Sequence, residues 1–138
     1  MKYLYILIIS FSLLSCENND DNTITDPGGF SKFYINNQSD SNLKLEFTLS
    51  DDYSNKQESE IIQSKGSKMI FEGGVIGLSP KPNEVFNEFK FYTTDPNTET
   101  LILTISPILN SDWTIIDNLN TPKNFDLFEL RITNENLK

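Results

Sequence analysis

From Phe30 onward, apolar and polar residues alternate with a period of two, and this alternation constrains the fold more than any other feature of the chain. The segment 43–49, LKLEFTL, alternates along its whole length, and the segment 128–133, FELRIT, does so near the C-terminus. Successive side chains of a β-strand point to opposite faces of its sheet, so this pattern is typical of strands with one buried face. The sequence therefore predicts a domain built from strands.

The composition also favours strands over helices. The chain has no alanine, the residue with the highest helix propensity, and it is rich in Ile, Phe, Thr and Tyr. The run from Leu101 to Ile105 is continuously apolar apart from Thr104, which predicts a central strand covered on both faces. The other predicted strands are shorter or less regular: Phe33 to Asn36, Glu60 to Gln63, Lys68 to Phe71, Phe89 to Tyr92 and Trp113 to Ile116.

Turn-forming residues separate these strands. The sequence Asp95-Pro96-Asn97 predicts a hairpin connection, because proline fixes φ and the flanking Asx side chains can bond to the local backbone. The segment 50–59, SDDYSNKQES, is predicted to be a longer polar loop. Only the segments 83–88 and 133–137 could form a helical turn.

Seven or eight short strands in about 110 residues predict one antiparallel β-sandwich. The domain is expected to span residues 30–138, with an immunoglobulin-like arrangement of strands and a small β-barrel as the alternative. Trp113 is expected in the core or between the two sheets. The whole chain has 138 residues, which is enough for one domain of ordinary size.

The N-terminus has the pattern of a secretory leader. Lys2 precedes an uncharged, mostly apolar stretch of twelve residues, Tyr3 to Leu14. A membrane-spanning helix needs about 20 such residues, whereas the central region of a signal peptide is shorter. Residues 1–15 are therefore predicted to be a cleaved signal peptide.

The leader ends in Leu13-Leu14-Ser15-Cys16, which resembles the bacterial lipobox. The resemblance implies cleavage between Ser15 and Cys16, a diacylglyceryl thioether on Cys16 and an acylated amino terminus. Cys16 is the only cysteine of the chain, so it has no partner for an intramolecular disulfide. Attachment through more than one acyl chain gives stable membrane anchoring.

Residues 16–29 are rich in Asn, Asp, Pro and Gly and are predicted to form a flexible acidic tether. The acidic residues Glu17, Asp20 and Asp21 resemble the signal that places some lipoproteins of Bacteroidetes on the outer face of the outer membrane. The alternative is that they belong to a simple spacer. With the C-terminal FELRITNENLK, the chain resembles small uncharacterised lipoproteins of Bacteroidetes, which implies a lipid-anchored outer-membrane location but no catalytic residues.

Charge and composition exclude several partners. The net charge is −9 and no cluster of Lys or Arg is present, so neither nucleic acid nor electrostatic binding to anionic lipid is expected. The chain has no histidine, which excludes a Ser-His or Cys-His catalytic pair and removes the commonest transition-metal ligand. No cofactor or metal is expected. A pair of carboxylates could still hydrolyse glycosides, but most acidic residues lie in polar loops or at exposed strand positions. The chain is therefore predicted not to be an enzyme, with a glycosidase as a remote alternative.

The favoured function is a binding or accessory module at the outer membrane, with an unidentified protein or glycan partner. The alternative is a carbohydrate-binding surface lipoprotein, because exposed aromatic rings can stack on sugars. Tyr92 is out of phase with Phe89 and Phe91, so its side chain is predicted to face solvent. The candidate stacking residues are Tyr53, Tyr92 and Trp113.

Overall fold

The computed structural model describes residues 29–75, 78–95, 98–116 and 125–138. The predicted leader, the lipobox and all of the predicted tether except Gly29 lie outside these residues, and the first strand begins at Gly29. No helix in the described part of the chain is long and apolar enough to cross a bilayer. The strands are β1 (Gly29–Asn37), β2 (Leu43–Leu49), β3 (Gln57–Ile62), β4 (Gly66–Val75), β5 (Phe86–Asp95), β6 (Thr98–Ile105), β7 (Trp113–Ile115) and β8 (Phe125–Ile132); the short helices are α1 (Pro82–Val85) and the 3-10 turns Asp51–Tyr53 and Asn110–Asp112.

The strands form two four-stranded sheets, which confirms the predicted all-β sandwich. Sheet A has the strand order β4-β1-β8-β7, and sheet B has the order β3-β2-β5-β6. The described strands thus form two separate sheets rather than the alternative closed barrel. Neighbouring strands are antiparallel, except that β1 and β8 run parallel, so sheet A is mixed rather than purely antiparallel. The immunoglobulin-like connectivity stays a prediction.

The core lies between the sheets, and the alternating residues of the sequence provide it. The four apolar residues of β2 are at most 4% exposed, while the three residues between them are half-exposed on the outer face. Phe86, at the start of β5, lies at the centre of an aromatic cluster. Its ring lies 4.9 to 6.0 Å, centroid to centroid, from those of Phe33, Phe47, Phe71, Phe89 and Trp113.

The prediction that Leu101 to Ile105 forms a central strand is wrong. These residues belong to β6, which lies at the edge of sheet B, and Leu101 is 48% exposed. In the pairing with β5, Leu101 lies opposite Tyr92 and Leu103 lies opposite Phe91. Ile102 has no opposite residue and is therefore the extra residue of a β-bulge. A bulge interrupts the alternation of faces by one residue. The apolar run therefore results from a bulge and does not indicate burial on both faces.

Local boundaries differ from the predicted ones where strand pairing extends an element. The predicted loop 50–59 is shorter, because β3 already begins at Gln57. The helical turn predicted at 83–88 is α1, which ends at Val85 because Phe86 pairs with Leu49 in sheet B. Strands β5 and β6 pair as far as Asp95 with Thr98, as expected for a hairpin, while residues 96 and 97 lie outside the described chain.

Candidate functional site

The structure places the three candidate stacking residues in three different environments. Trp113 is 7% exposed and lies in the core, as its expected structural role requires. One face of its indole stacks on Phe86, with 6.0 Å between centroids and 2° between planes, and the rings of Phe33 and Phe89 pack around it. Stacking on a sugar requires a free ring face. At 7% exposure, Trp113 offers little ring surface for such stacking, although it lines a separate pocket of about 240 Å³.

Tyr92 lies on the outer face of sheet B, as its phase in the sequence predicts. It is only half-exposed, because neighbouring side chains cover it. Its hydroxyl donates a hydrogen bond of 3.0 Å to Glu46 Oε2, and Lys44 Nζ lies 5.5 Å from the centre of its ring. Lys44 also pairs with Glu46 Oε1 at 3.0 Å and with Glu99 Oε2 at 2.7 Å. Tyr92 is thus part of an ion network and does not offer an open stacking surface.

This network shifts the proton affinity of its members. The ion-pairing hydrogen bond from Lys44 lowers the pKa of Glu46, burial opposes that shift, and the hydrogen bond from Tyr92 lowers the pKa further. Burial raises the pKa of Tyr92, and the carboxylate of Glu46 raises it again. At neutral pH, Glu46 is therefore ionised and Tyr92 is protonated, which is the combination that their hydrogen bond requires.

The Tyr92→Phe substitution is expected to raise the pKa of Glu46 towards its ordinary value, because one hydrogen bond to the carboxylate is lost. A depressed folded-state pKa adds stability above the unfolded-state pKa, and this stability is lost as the pH falls through the folded-state value. The variant should therefore lose less stability than the parent as the pH falls through the folded-state pKa of Glu46. NMR titration of the Glu46 side-chain carboxyl measures the shift directly. Tyr34→Phe, on the outer face of sheet A, is the matched control, and an unchanged Glu46 titration in Tyr92→Phe would contradict the assignment.

Tyr53 lines a pocket on the surface of the described residues. It ends the 3-10 turn Asp51–Tyr53, and its ring packs edge-on against Phe71, with 5.6 Å between centroids. A Cβ atom at Gly73 would lie 3.2 Å from a ring carbon of Tyr53 and 2.6 Å from one of Phe71, so glycine leaves the space that both rings occupy. The pocket has a volume of about 480 Å³ and is lined by Asp52, Tyr53, Gly74, Pro80 and Glu84.

Hydrogen bonds between the loop after β2 and helix α1 fix this pocket. The amide of Ser50 donates to the carbonyl of Val85 at 2.8 Å, and its hydroxyl donates to the carbonyl of Glu84 at 2.6 Å. The loop then closes on itself through two left-handed residues, Ser54 and Asn55, with φ of 79° and 47°. The Asn55 amide donates to the Ser50 carbonyl at 3.0 Å. Asp52 and Glu84 are therefore held at one pocket although they lie far apart in the sequence.

Among the buried side-chain polar atoms of the described residues, the hydroxyl of Tyr53 is the one without a hydrogen-bond partner. Burial raises the pKa of Tyr53, and the carboxylates of Glu84 and Asp52 raise it further, so the phenol stays protonated at neutral pH. The pocket thus combines a phenol with two exposed carboxylates, which can accept hydrogen bonds from hydroxyl or amine groups.

The outer face of sheet A carries an aromatic patch that sequence reasoning missed. Phe30 is 45% exposed and stacks on Phe125, with 5.7 Å between centroids and 15° between planes. Lys32 Nζ lies 5.1 Å from the centre of the Phe125 ring and 3.5 Å from Glu72 Oε2. The parallel register of β1 and β8 sets Phe30 opposite Phe125. Because hairpin patterns cannot predict this long-range pairing, no signal in the sequence identified the patch.

Within the described ranges, no three Cys, Asp or Glu residues lie close enough together to hold a metal ion. Comparisons with protein-family models, curated proteins and solved structures found no match to this chain.

Proposed function

We propose that this chain is a lipid-anchored binding module that is exported through its leader and held at the outer membrane by acyl chains on Cys16. The observation that carries the proposal is the sequence LLSC at 13–16, directly after an apolar stretch with the length of a signal peptide. The chain is acidic, with a net charge of −9, so its own charge does not favour a membrane surface. Acyl chains supply that affinity independently of charge.

A non-catalytic role fits the pocket better than glycoside hydrolysis does. A glycosidase needs one carboxyl group that keeps its proton at neutral pH, and burial in apolar surroundings is the usual means. Asp52 and Glu84 are the two carboxylates that line the Tyr53 pocket, and both are exposed to solvent. These carboxylates are suited to accept hydrogen bonds from a bound ligand.

The Cys16→Ser substitution tests the anchor. In a Gram-negative host that processes lipoproteins, the parent chain should fractionate almost entirely with membranes, and the variant should lose this attachment because serine cannot form the thioether. Ser15→Ala is the matched control, since it keeps a small residue before the cysteine and should leave fractionation unchanged. A Cys16→Ser chain that remains in a carbonate-washed membrane pellet would contradict the anchor.

Carbohydrate is the second candidate ligand, and the Tyr53 pocket is the observation that favours it. Sugar-binding sites combine an aromatic ring with polar groups that accept hydrogen bonds from hydroxyls. Tyr53, Asp52 and Glu84 provide this combination around one pocket of about 480 Å³. The Tyr53 hydroxyl is buried beside this pocket and bonds to no described residue.

The Tyr53→Phe substitution tests separately whether the Tyr53 hydroxyl affects stability and whether it affects ligand binding at this pocket. Without ligand, the variant should be as stable as the parent or more stable by about 1 kcal/mol, because a buried hydroxyl without a partner is removed. Urea unfolding measures this change. Binding of a polysaccharide identified by a glycan array should weaken about tenfold, the effect of losing one hydrogen bond of about 1.4 kcal/mol.

Tyr34→Phe, on the outer face of sheet A, is the control for both measurements. A loss of stability in Tyr53→Phe would indicate that the hydroxyl has a structural partner. Unchanged glycan binding in Tyr53→Phe would exclude the hydroxyl from the site, and silence of the parent protein across the array would contradict the carbohydrate candidate.

A further inference from the structure

We propose that the domain rests on the membrane through the aromatic patch of sheet A, with Phe30 and Phe125 in the headgroup layer of the bilayer that carries the anchor. This inference rests on the proposed lipid anchor at Cys16. It adds a defined orientation, in which the outer face of sheet A faces the lipid and the outer face of sheet B faces away.

The patch has the chemistry of an interfacial surface. Phe30 is 45% exposed and Met69, on the neighbouring strand β4, is 42% exposed. Gly74 lies opposite Phe30 in the register, and a Cβ atom there would be 2.7 Å from the Phe30 ring. The Phe30 ring therefore occupies the space between Gly74 and Phe125, and its exposed part presents an apolar surface to solvent. Aromatic and other apolar side chains on one face favour burial at the headgroup boundary.

The position of the patch in the chain brings it to the membrane. Phe30 is the second residue of β1, and Gly29 follows Cys16 by thirteen positions in the sequence. Thirteen residues reach at most about 45 Å even when fully extended. A domain held this close to the bilayer meets it at a high effective concentration, so a weak contact at the tethered end becomes populated.

Charge distinguishes the two outer faces. On the patch, the ammonium of Lys32 is neutralised by Glu72, and it also lies over the Phe125 ring. The outer face of sheet B instead carries an ion network with more carboxylates than ammonium groups. Its charged members are Lys44, Glu46, Glu88, Lys90 and Glu99. Because anionic lipids repel carboxylates, the nearly neutral aromatic face is the one that can approach a bilayer. This balance favours lipid over a basic protein partner as the occupant of the patch.

Tryptophan quenching tests the orientation in the full lipoprotein. The protein is purified from membranes and reconstituted in vesicles of phosphatidylcholine and phosphatidylethanolamine that contain a lipid with a doxyl group at carbon 5. Phe30→Trp places a reporter on the patch, and Ile61→Trp places one on the outer face of sheet B, where Ile61 is 44% exposed. The signal of the buried Trp113 is subtracted with the parent protein. Met69→Trp, which lies opposite Tyr34 on the same outer face, is the second reporter if Phe30→Trp does not fold.

We expect quenching of the patch reporter at least threefold stronger than that of Ile61→Trp, in protein that floats with the vesicles. Equal quenching of the two reporters, or a patch reporter that remains unquenched on floated protein, would overturn the orientation while leaving the anchor intact. Protein that fails to float would overturn the anchor, and the orientation with it. Quenching that disappears when membrane proteins are added back would assign the patch to a protein partner and overturn the lipid contact.

Discussion

Replacement of Phe86 with alanine is expected to lower the free energy of unfolding by about 3–5 kcal/mol, the range for a fully buried phenylalanine. Phe86 is 1% exposed, and its ring packs against aromatic rings from both sheets. The substitution removes apolar area from the core and leaves a cavity that several large rings cannot fill together. A domain of this size has a total stability of about 5–15 kcal/mol, so much of the stability would be lost.

Urea denaturation followed by fluorescence measures the Phe86→Ala effect, and the slope of the transition should stay that of the parent. Phe30→Ala is the matched control, because Phe30 is 45% exposed and its removal should cost less than about 1.5 kcal/mol. Equal losses in the two variants would contradict the placement of Phe86 at the centre of the core.

The Asn37→Ala substitution is expected to cost about 3 kcal/mol or more, although asparagine is polar. Asn37 ends β1 and is completely buried. Its side-chain amide donates to the carbonyls of Ser41, Ile62 and Gln63 at 2.8, 3.3 and 3.1 Å, and its oxygen accepts from the amide and hydroxyl of Ser39 at 3.0 and 2.6 Å. Alanine removes the side-chain partner of the buried Ser39 amide and Ile62 carbonyl, and the desolvation of these groups is then no longer compensated by Asn37.

The Asn37→Asp substitution at the same position should make the stability of the domain depend on pH. The aspartate keeps the acceptor for Ser39, but it places a carboxylate against the carbonyls of Ile62 and Gln63. Burial and these oxygens should raise its folded-state pKa above the unfolded value, so the folded variant binds the proton more tightly. The free energy of unfolding of the variant should therefore fall as the pH rises from the unfolded-state pKa of the aspartate through its folded-state pKa. Thermal melts between pH 3 and pH 8 measure the effect, with half-buried Asn36→Ala as the control, and equal pH profiles of Asn37→Asp and the parent would contradict it.

The alternation of apolar and polar residues was sufficient to predict that the chain forms sheets, but it did not predict which strands lie at the edges of those sheets. The alternation in β2 predicts its buried and solvated faces because the period of a strand is two and no irregularity interrupts it. In β6, the bulge at Ile102 adds one residue, and the same reasoning then predicts burial for an edge strand. Asn37 was not identified as a structural centre, because two of its five hydrogen bonds reach Ile62 and Gln63, which come next to it only in the folded chain.

For the same reason, the sequence predicted only part of the candidate site. Tyr53 could be named from the sequence as an aromatic residue in a polar loop, whereas Glu84 could not be linked to it before the Ser50 hydrogen bonds joined the loop to α1. Phe30 and Phe125 became neighbours only through the parallel pairing of the first and last strands. Long-range pairing of this kind depends on tertiary packing and leaves no local periodicity.

The intact mass of the protein purified from membranes of a lipoprotein-processing host tests the central claim most directly. The account predicts a polypeptide that begins at Cys16 and is heavier than its unmodified sequence by a diacylglyceryl group and one amide-linked acyl chain. Fragmentation should place both modifications on Cys16. A polypeptide that retains residues 1–15, or one that begins at Cys16 with an unmodified thiol and amino terminus, would contradict the lipid anchor.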